Sequence, residues 1–133
     1  MNTKRKFSWL GRTMAGAAAA ALLFVVAGCG DSAPEALLAT SKTAYASARY
    51  EKALDLTEQI LDRQSDHVPA QILKGLALHR LMRDDEALEV LGRAAQRAPQ
   101  RFAAQYFYGW VLVENGQHGE ALEPLRQAYS IRD

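Results

Sequence analysis

Three stretches of this chain repeat one another at a fixed interval. ARYEKALDLTEQIL (48–61), MRDDEALEVLGRAA (82–95) and GQHGEALEPLRQAY (116–129) place the pairs Ala53-Leu54, Ala87-Leu88 and Ala121-Leu122 34 residues apart both times. The same interval relates Gly75 to Gly109, Ala44 to Leu78 to Leu112, and Ile60 to Ala94 to Ala128. A period in the range of about 20–50 residues marks a stack of like units, each too small to bury its own apolar face. The core must then form between neighbours. Helices are predicted over 34–47, 50–63, 68–81, 84–97, 102–114 and 118–130.

Both the length of the unit and its small and large positions resemble the tetratricopeptide repeat. In GLALHRLMRDDEALEVLGRAAQRAP (75–99), Gly75 stands for the small residue of the first helix and Ala87 for that of the second. Leu91 is the large apolar residue four later, and Pro99 the closing proline. The third copy matches through Gly109, Gly116, Ala121, Leu125 and Ala128. The first diverges, with Ser41 for the glycine, Thr57 for the large apolar residue and Ser65 for the proline. The resemblance implies an all-α fold of three tandem helix-turn-helix repeats (34–67, 68–101 and 102–133) forming a short right-handed superhelix. Gly75 and Ala87 are expected where paired backbones approach closely. Ser32-x-x-Glu35 reads as a capping box, with Pro34 in the first turn. Asp84, Asp85 and Glu86 suit a helix start, and Pro124 is expected to kink the last helix.

Such a fold implies binding on the concave surface made by the first helix of each unit. Carried across residue by residue, the groove positions are Leu38, Lys42 and Tyr45, then Ile72, Leu76, His79 and Arg80, then Tyr106, Trp110, Val113 and Glu114. Aromatics and arginine concentrate binding energy at interfaces. The plainer alternative makes Tyr106 and Trp110 core residues at helical spacing, and His79 and Arg80 a solvated face. FAAQYFYGW (102–110) nevertheless holds five aromatics, too many to bury on one stripe. The pattern lacks the asparagines of the carboxylate clamp found in some members of the family.

The amino-terminal part is a different unit. Residues 1–28 carry Lys4, Arg5, Lys6 and Arg12 and no acid, whereas residues 29–133 have a net charge of −3. That balance gives no electrostatic reason to bind nucleic acid. Met14 to Gly28 is apolar or small throughout and is shorter than the ~20 residues a spanning helix needs, which reads as a secretory signal. VAGC (26–29) resembles the lipobox of bacterial lipoproteins. The resemblance implies cleavage before Cys29, a diacylglycerol thioether on its sulfur, and acylation of the new amino terminus. The expected organisation is therefore a lipoprotein signal peptide at 1–28 and a lipidated tether at 29–33. Two or three acyl chains anchor stably where one does not, and lipidation removes an exposed lone thiol. TKRKF (3–7) resembles a lysine-substituted twin-arginine motif, but the general secretory route is expected. Gly30 favours the outer over the inner membrane of a periplasm-facing envelope protein, with Asp31 leaving the sorting open.

Catalysis has little support. His67, His79 and His118 show no metal-ligand spacing, no nucleophile elbow or phosphate loop occurs, and Cys29 is the sole cysteine. Adjacent Asp84, Asp85 and Glu86 point different ways on a helix. No metal or cofactor is expected beyond the covalent lipid. The expected partner is a protein or peptide of the envelope, as for the tetratricopeptide lipoproteins that assemble secretion, pilus, outer-membrane or polysaccharide-export machines. The first part of the repeat region is also similar to the start of longer lipoproteins found with polysaccharide and exosortase systems. The alternative is a homodimer formed through the last repeat, where Leu122, Leu125 and Tyr129 leave apolar surface.

Overall fold

The structure, a computed structural model, describes residues 33–132. These lie in the compact unit Ser32–Asp133. Residues 1–28, read from the sequence as a signal peptide, and Cys29 to Ser32, read as part of a lipidated tether, lie outside the described residues. Six helices follow in order: α1 Pro34–Ala46, α2 Tyr50–Arg63, α3 Val68–Arg80, α4 Asp84–Arg97, α5 Phe102–Glu114 and α6 His118–Arg132. Each ends within two residues of its predicted bounds, and there are no strands among the described residues. None of these helices is long and apolar enough to cross a membrane.

Consecutive helices pack as three hairpins, α1 with α2, α3 with α4 and α5 with α6, and the hairpins stack in chain order. The turn inside each hairpin is the same. Ala48, Met82 and Gly116, 34 residues apart, have φ of 56°, 61° and 77°. The next amide in each case donates to a carbonyl five residues back: Arg49 to Ala44 (2.9 Å), Arg83 to Leu78 (3.0 Å) and Gln117 to Leu112 (2.8 Å). This is a Schellman closure, which satisfies a terminal carbonyl and stops the helix. Only the third turn has the glycine suited to a left-handed residue. At Ala48 and Met82 a Cβ is forced into that region at a cost of roughly 1–2 kcal/mol.

Helix starts are less uniform. The capping box expected at Ser32-x-x-Glu35 rests on Ser32, which lies outside the described residues; α1 is preceded by Ala33, which makes no side-chain cap bond. Pro34 takes the first helical position, in the first turn where it was expected and where its missing N–H costs nothing. α3 is capped by His67, whose Nδ1 accepts the Ala70 amide at 3.1 Å. α6 continues through a buried Pro124 to Arg132.

The core sits between hairpins, and the 34-residue register recurs in its burial. Ala53, Ala87 and Ala121 are inaccessible or nearly so, as are Ala44, Leu78 and Leu112, and Ile60, Ala94 and Ala128. The close approaches are equally periodic. A Cβ on Gly75 would lie 2.5 Å from Leu91 Cγ, and one on Gly109 would lie 2.7 Å from Leu125 Cγ. The first hairpin solves the same problem with a different pair of volumes. Ser41 and Thr57 stand at those two positions, both fully buried, and the Thr57 hydroxyl donates to the Leu54 carbonyl at 2.8 Å.

A second periodic device was not read from the sequence. Gln71 and Gln105, also 34 apart, are buried at the start of α3 and α5. Gln71 Nε2 donates to the Ser65 carbonyl at 2.7 Å, and Gln105 Nε2 to the Ala95 carbonyl at 2.9 Å. Each amide thereby ties a hairpin to the end of the one before it. The first hairpin has no predecessor among the described residues and carries the buried Leu37 at this position.

Candidate functional site

α3 lies between α1 and α5 and touches both, so the first helices of the three hairpins form one continuous face. Two clefts open on it. The first has a volume of about 340 Å³ and an apolar floor of Ile72, Leu73 and Leu76 from α3. Leu38 and Lys42 of α1 form one wall, and Ala103 and Phe107 of α5, with Arg101 just before it, form the other. Ile72 and Leu76 are more than nine-tenths buried. They belong to the cluster that joins the second and third hairpins through Leu91, Ala94, Ala104 and Val111. Lys42 and Arg101 are exposed. Neither forms an ion pair or a side-chain hydrogen bond among the described residues.

The second cleft, about 430 Å³, opens where the hairpin turns meet this face. Tyr50, His79, Arg80, Met82, Asp84 and Glu114 line it. Its polar groups are largely engaged with one another. His79 Nδ1 lies 2.6 Å from Asp84 Oδ1, and the His79 ring meets Trp110 edge-on with centroids 5.2 Å apart. Arg80 Nε donates to the Tyr50 hydroxyl at 3.2 Å, and its guanidinium carbon stands 5.4 Å from the Tyr50 ring centre, a cation–π distance. Tyr45 packs edge-on against Tyr50. Burial pushes the Tyr45 phenol up, against the opposing pull of Arg80.

Of the groove positions read from the sequence, Lys42, Ile72 and Leu76 come together in the first cleft, and His79, Arg80 and Glu114 in the second. Tyr45 and Trp110 are half-buried against the core. Tyr106 and Val113 are exposed beside the clefts. Tyr106 is stacked on Phe102 and edge-on to Phe107, with centroids 5.3 Å apart in both contacts. The aromatic that enters the first cleft is Phe107. It stands 34 residues after Leu73, just as Asp84 stands 34 after Tyr50 in the second. Leu73 and Tyr50 were not among the groove positions carried across, so the period did not lead from them to Phe107 and Asp84.

A larger cleft of about 570 Å³ lies among α2, α3 and α4. Two of its three cations are already neutralised. Lys74 pairs with Glu58 at 2.8 Å and Arg93 with Glu89 at 3.5 Å. The face of first helices, with an apolar floor and two unpaired cations, is the better-prepared binding surface. No group of three His, Cys, Asp or Glu side chains converges as a metal site would require among the described residues.

Residues 44–105 match the family model for the N-terminal TPR repeats region of Psidin, and residues 83–133 match a tetratricopeptide repeat model. The comparison with curated proteins gives no match. Among solved structures, a mutant of MamA superimposes with a TM-score of 0.64 at 20% identity, over 75% of this chain and 55% of that one. The Yersinia enterocolitica type III secretion translocator chaperone SycD gives 0.68 at 17% identity, over 74% of each chain. A chain of a CopN-Scc3 complex gives 0.65 at 18%, over 74% of this chain and 58% of that one. The chain thus spans little more than half of the MamA structure. At these identities the likeness is one of fold: an all-helical, tetratricopeptide-type array.

Proposed function

We propose that this chain is a lipid-anchored adaptor of the bacterial envelope that captures a segment of a partner protein on the face made by α1, α3 and α5. It would serve the assembly of a secretion, pilus, outer-membrane or polysaccharide-export complex. The observation that carries the reading is the first cleft, whose size falls in the ~300–1,000 Å³ range of preformed binding sites and whose floor is apolar. Similar folds include a translocator chaperone and a chain solved in a protein complex, which supports protein capture over catalysis. Repeat scaffolds specify a mode of binding and leave the target to the side chains on the face.

The anchor and the capture surface are tested separately. Cys29→Ala should abolish lipid labelling and release the protein from membranes, and unchanged fractionation would remove the anchor. A photo-crosslinker at Val113, exposed on the α5 face, should trap a partner in the native envelope, whereas one at Arg93 on α4 should not. Equal trapping from both positions, or trapping from Arg93 alone, would exclude the face of first helices.

A second reading rests on α6. Leu122 and Tyr129 are 72% and 70% exposed, the kind of apolar surface that a second copy could cover. Sedimentation of the delipidated protein decides: a monomer at micromolar concentration removes self-association.

A further inference from the structure

We infer that the first cleft selects a partner segment in which a large apolar side chain is flanked on both sides by carboxylates within the chain, and not a chain-terminal carboxylate. The inference rests on the capture reading above and adds a charge rule to it.

The argument begins with sign. The segment 29–133 is net −3, yet no acidic residue lines this cleft, and it carries Lys42 on one wall and Arg101 on the other. Both cations are exposed and without side-chain partners. Elsewhere on the surface Lys74, Arg83, Arg93 and Arg126 are each paired with a glutamate, while Arg49, Lys52 and Arg97 are also without an ion pair among the described residues but do not line this cleft. What sets Lys42 and Arg101 apart is that both line one apolar floor, from α1 and from the start of α5, with no acidic residue in the lining.

Geometry supplies the spacing rule. Lys42 belongs to α1 and Arg101 immediately precedes α5, while the floor residues Ile72 and Leu76 belong to α3 between them. A segment that lays an apolar side chain on the floor therefore has a cation on either side of that side chain. Matching both cations requires an acidic residue before and after the anchor. A single carboxylate at a chain end would meet only one. Opposite charges across an interface raise the encounter rate and fix register, and like charges there reject the wrong partner.

The test uses acetylated and amidated peptides with a central Leu-Phe pair flanked on both sides by Asp, by the neutral isostere Asn, or by Lys. Their binding to the full chain in detergent is read by fluorescence anisotropy. The Asp-flanked peptide should bind about tenfold more tightly than the Asn-flanked one, from two exposed pairs of modest strength, and the Lys-flanked peptide most weakly. The gap should close at 1 M salt, where the screening length falls to ~3 Å. Lys42→Glu with Arg101→Glu, two exposed sites outside the core, should invert the order.

Equal binding of the Asp and Asn peptides would overturn the charge rule and leave the capture face standing. Asp preference that survives the double reversal would place the acidic site elsewhere and overturn the assignment to this cleft. A gain on freeing the C-terminal carboxylate of an Asn-flanked peptide, equal to that from Asp flanks, would overturn the two-sided rule. Failure of all the peptides to bind would count against both the charge rule and the capture reading.

Discussion

Gly75→Ser is the most direct probe of how the hairpins close. In α3 the new Cβ would sit 2.5 Å from Leu91 Cγ and 2.9 Å from its Cδ2. Cγ is the branch point of a fully buried side chain, so rotating a methyl away does not relieve the contact. Overpacking of this kind costs about 1–3 kcal/mol, offset by about 0.5 kcal/mol from replacing glycine inside a helix. A net loss of about 0.5–2.5 kcal/mol should lower Tm by roughly 2–20 °C in a domain of this size. Leu91→Thr alone should cost about 2 kcal/mol through the cavity it leaves. Together the two substitutions reproduce the Ser41–Thr57 pair of the first hairpin, in which the threonine hydroxyl donates to a carbonyl three residues back and the buried serine hydroxyl has no partner. The double variant should therefore be less destabilised than the sum of the singles by about 1–3 kcal/mol. Chemical denaturation of the four proteins gives the cycle. Additivity within about 0.5 kcal/mol would refute the claim that the two positions are a volume-matched pair.

Met82→Gly should raise stability by about 1 kcal/mol, since Met82 is 81% exposed and loses only backbone strain; Gly116→Ala should lower it by a similar amount, both read by denaturation midpoints. Gln105→Leu should cost about 1–3 kcal/mol by leaving the Ala95 carbonyl without its buried donor, and protection of the α4–α5 junction against hydrogen exchange should fall with it. Because the folded Tyr45 phenol titrates above its unfolded value, its contribution is complete below pH ~10 and is lost as pH rises through the folded pKa. Tyr45→Phe should flatten that alkaline decline, and an unchanged decline in urea melts above pH 10 would assign it to other groups.

The fold was legible because one interval governs so much of it. Ala53, Ala87 and Ala121 announced the hairpins, and Gly75 and Gly109 the close approaches within them. What escaped notice was also periodic but chemically disguised. Gln71 and Gln105 read as ordinary polar positions on a helix, and their burial follows from carbonyls left open at the end of the preceding hairpin. Ala48 and Met82 gave no sign of a left-handed turn, because tertiary packing imposes a conformation their side chains resist. For the candidate site, Lys42, Ile72 and Leu76 came from the groove positions that the family resemblance implied. Phe107 and Arg101 did not, because the wall of a cleft depends on how far the next hairpin leans over it, which a linear pattern does not encode.

Ile72 and Leu76 hold the second and third hairpins together and also form the floor of the first cleft. A change that reshaped this floor for a new partner would loosen the stack at the same stroke, whereas changes at Lys42 or Arg101 disturb no packing. Divergence among proteins built this way should therefore run through the sign of the rim before it reaches the contour of the floor, so that partners would be exchanged first between acidic and basic segments of similar apolar shape.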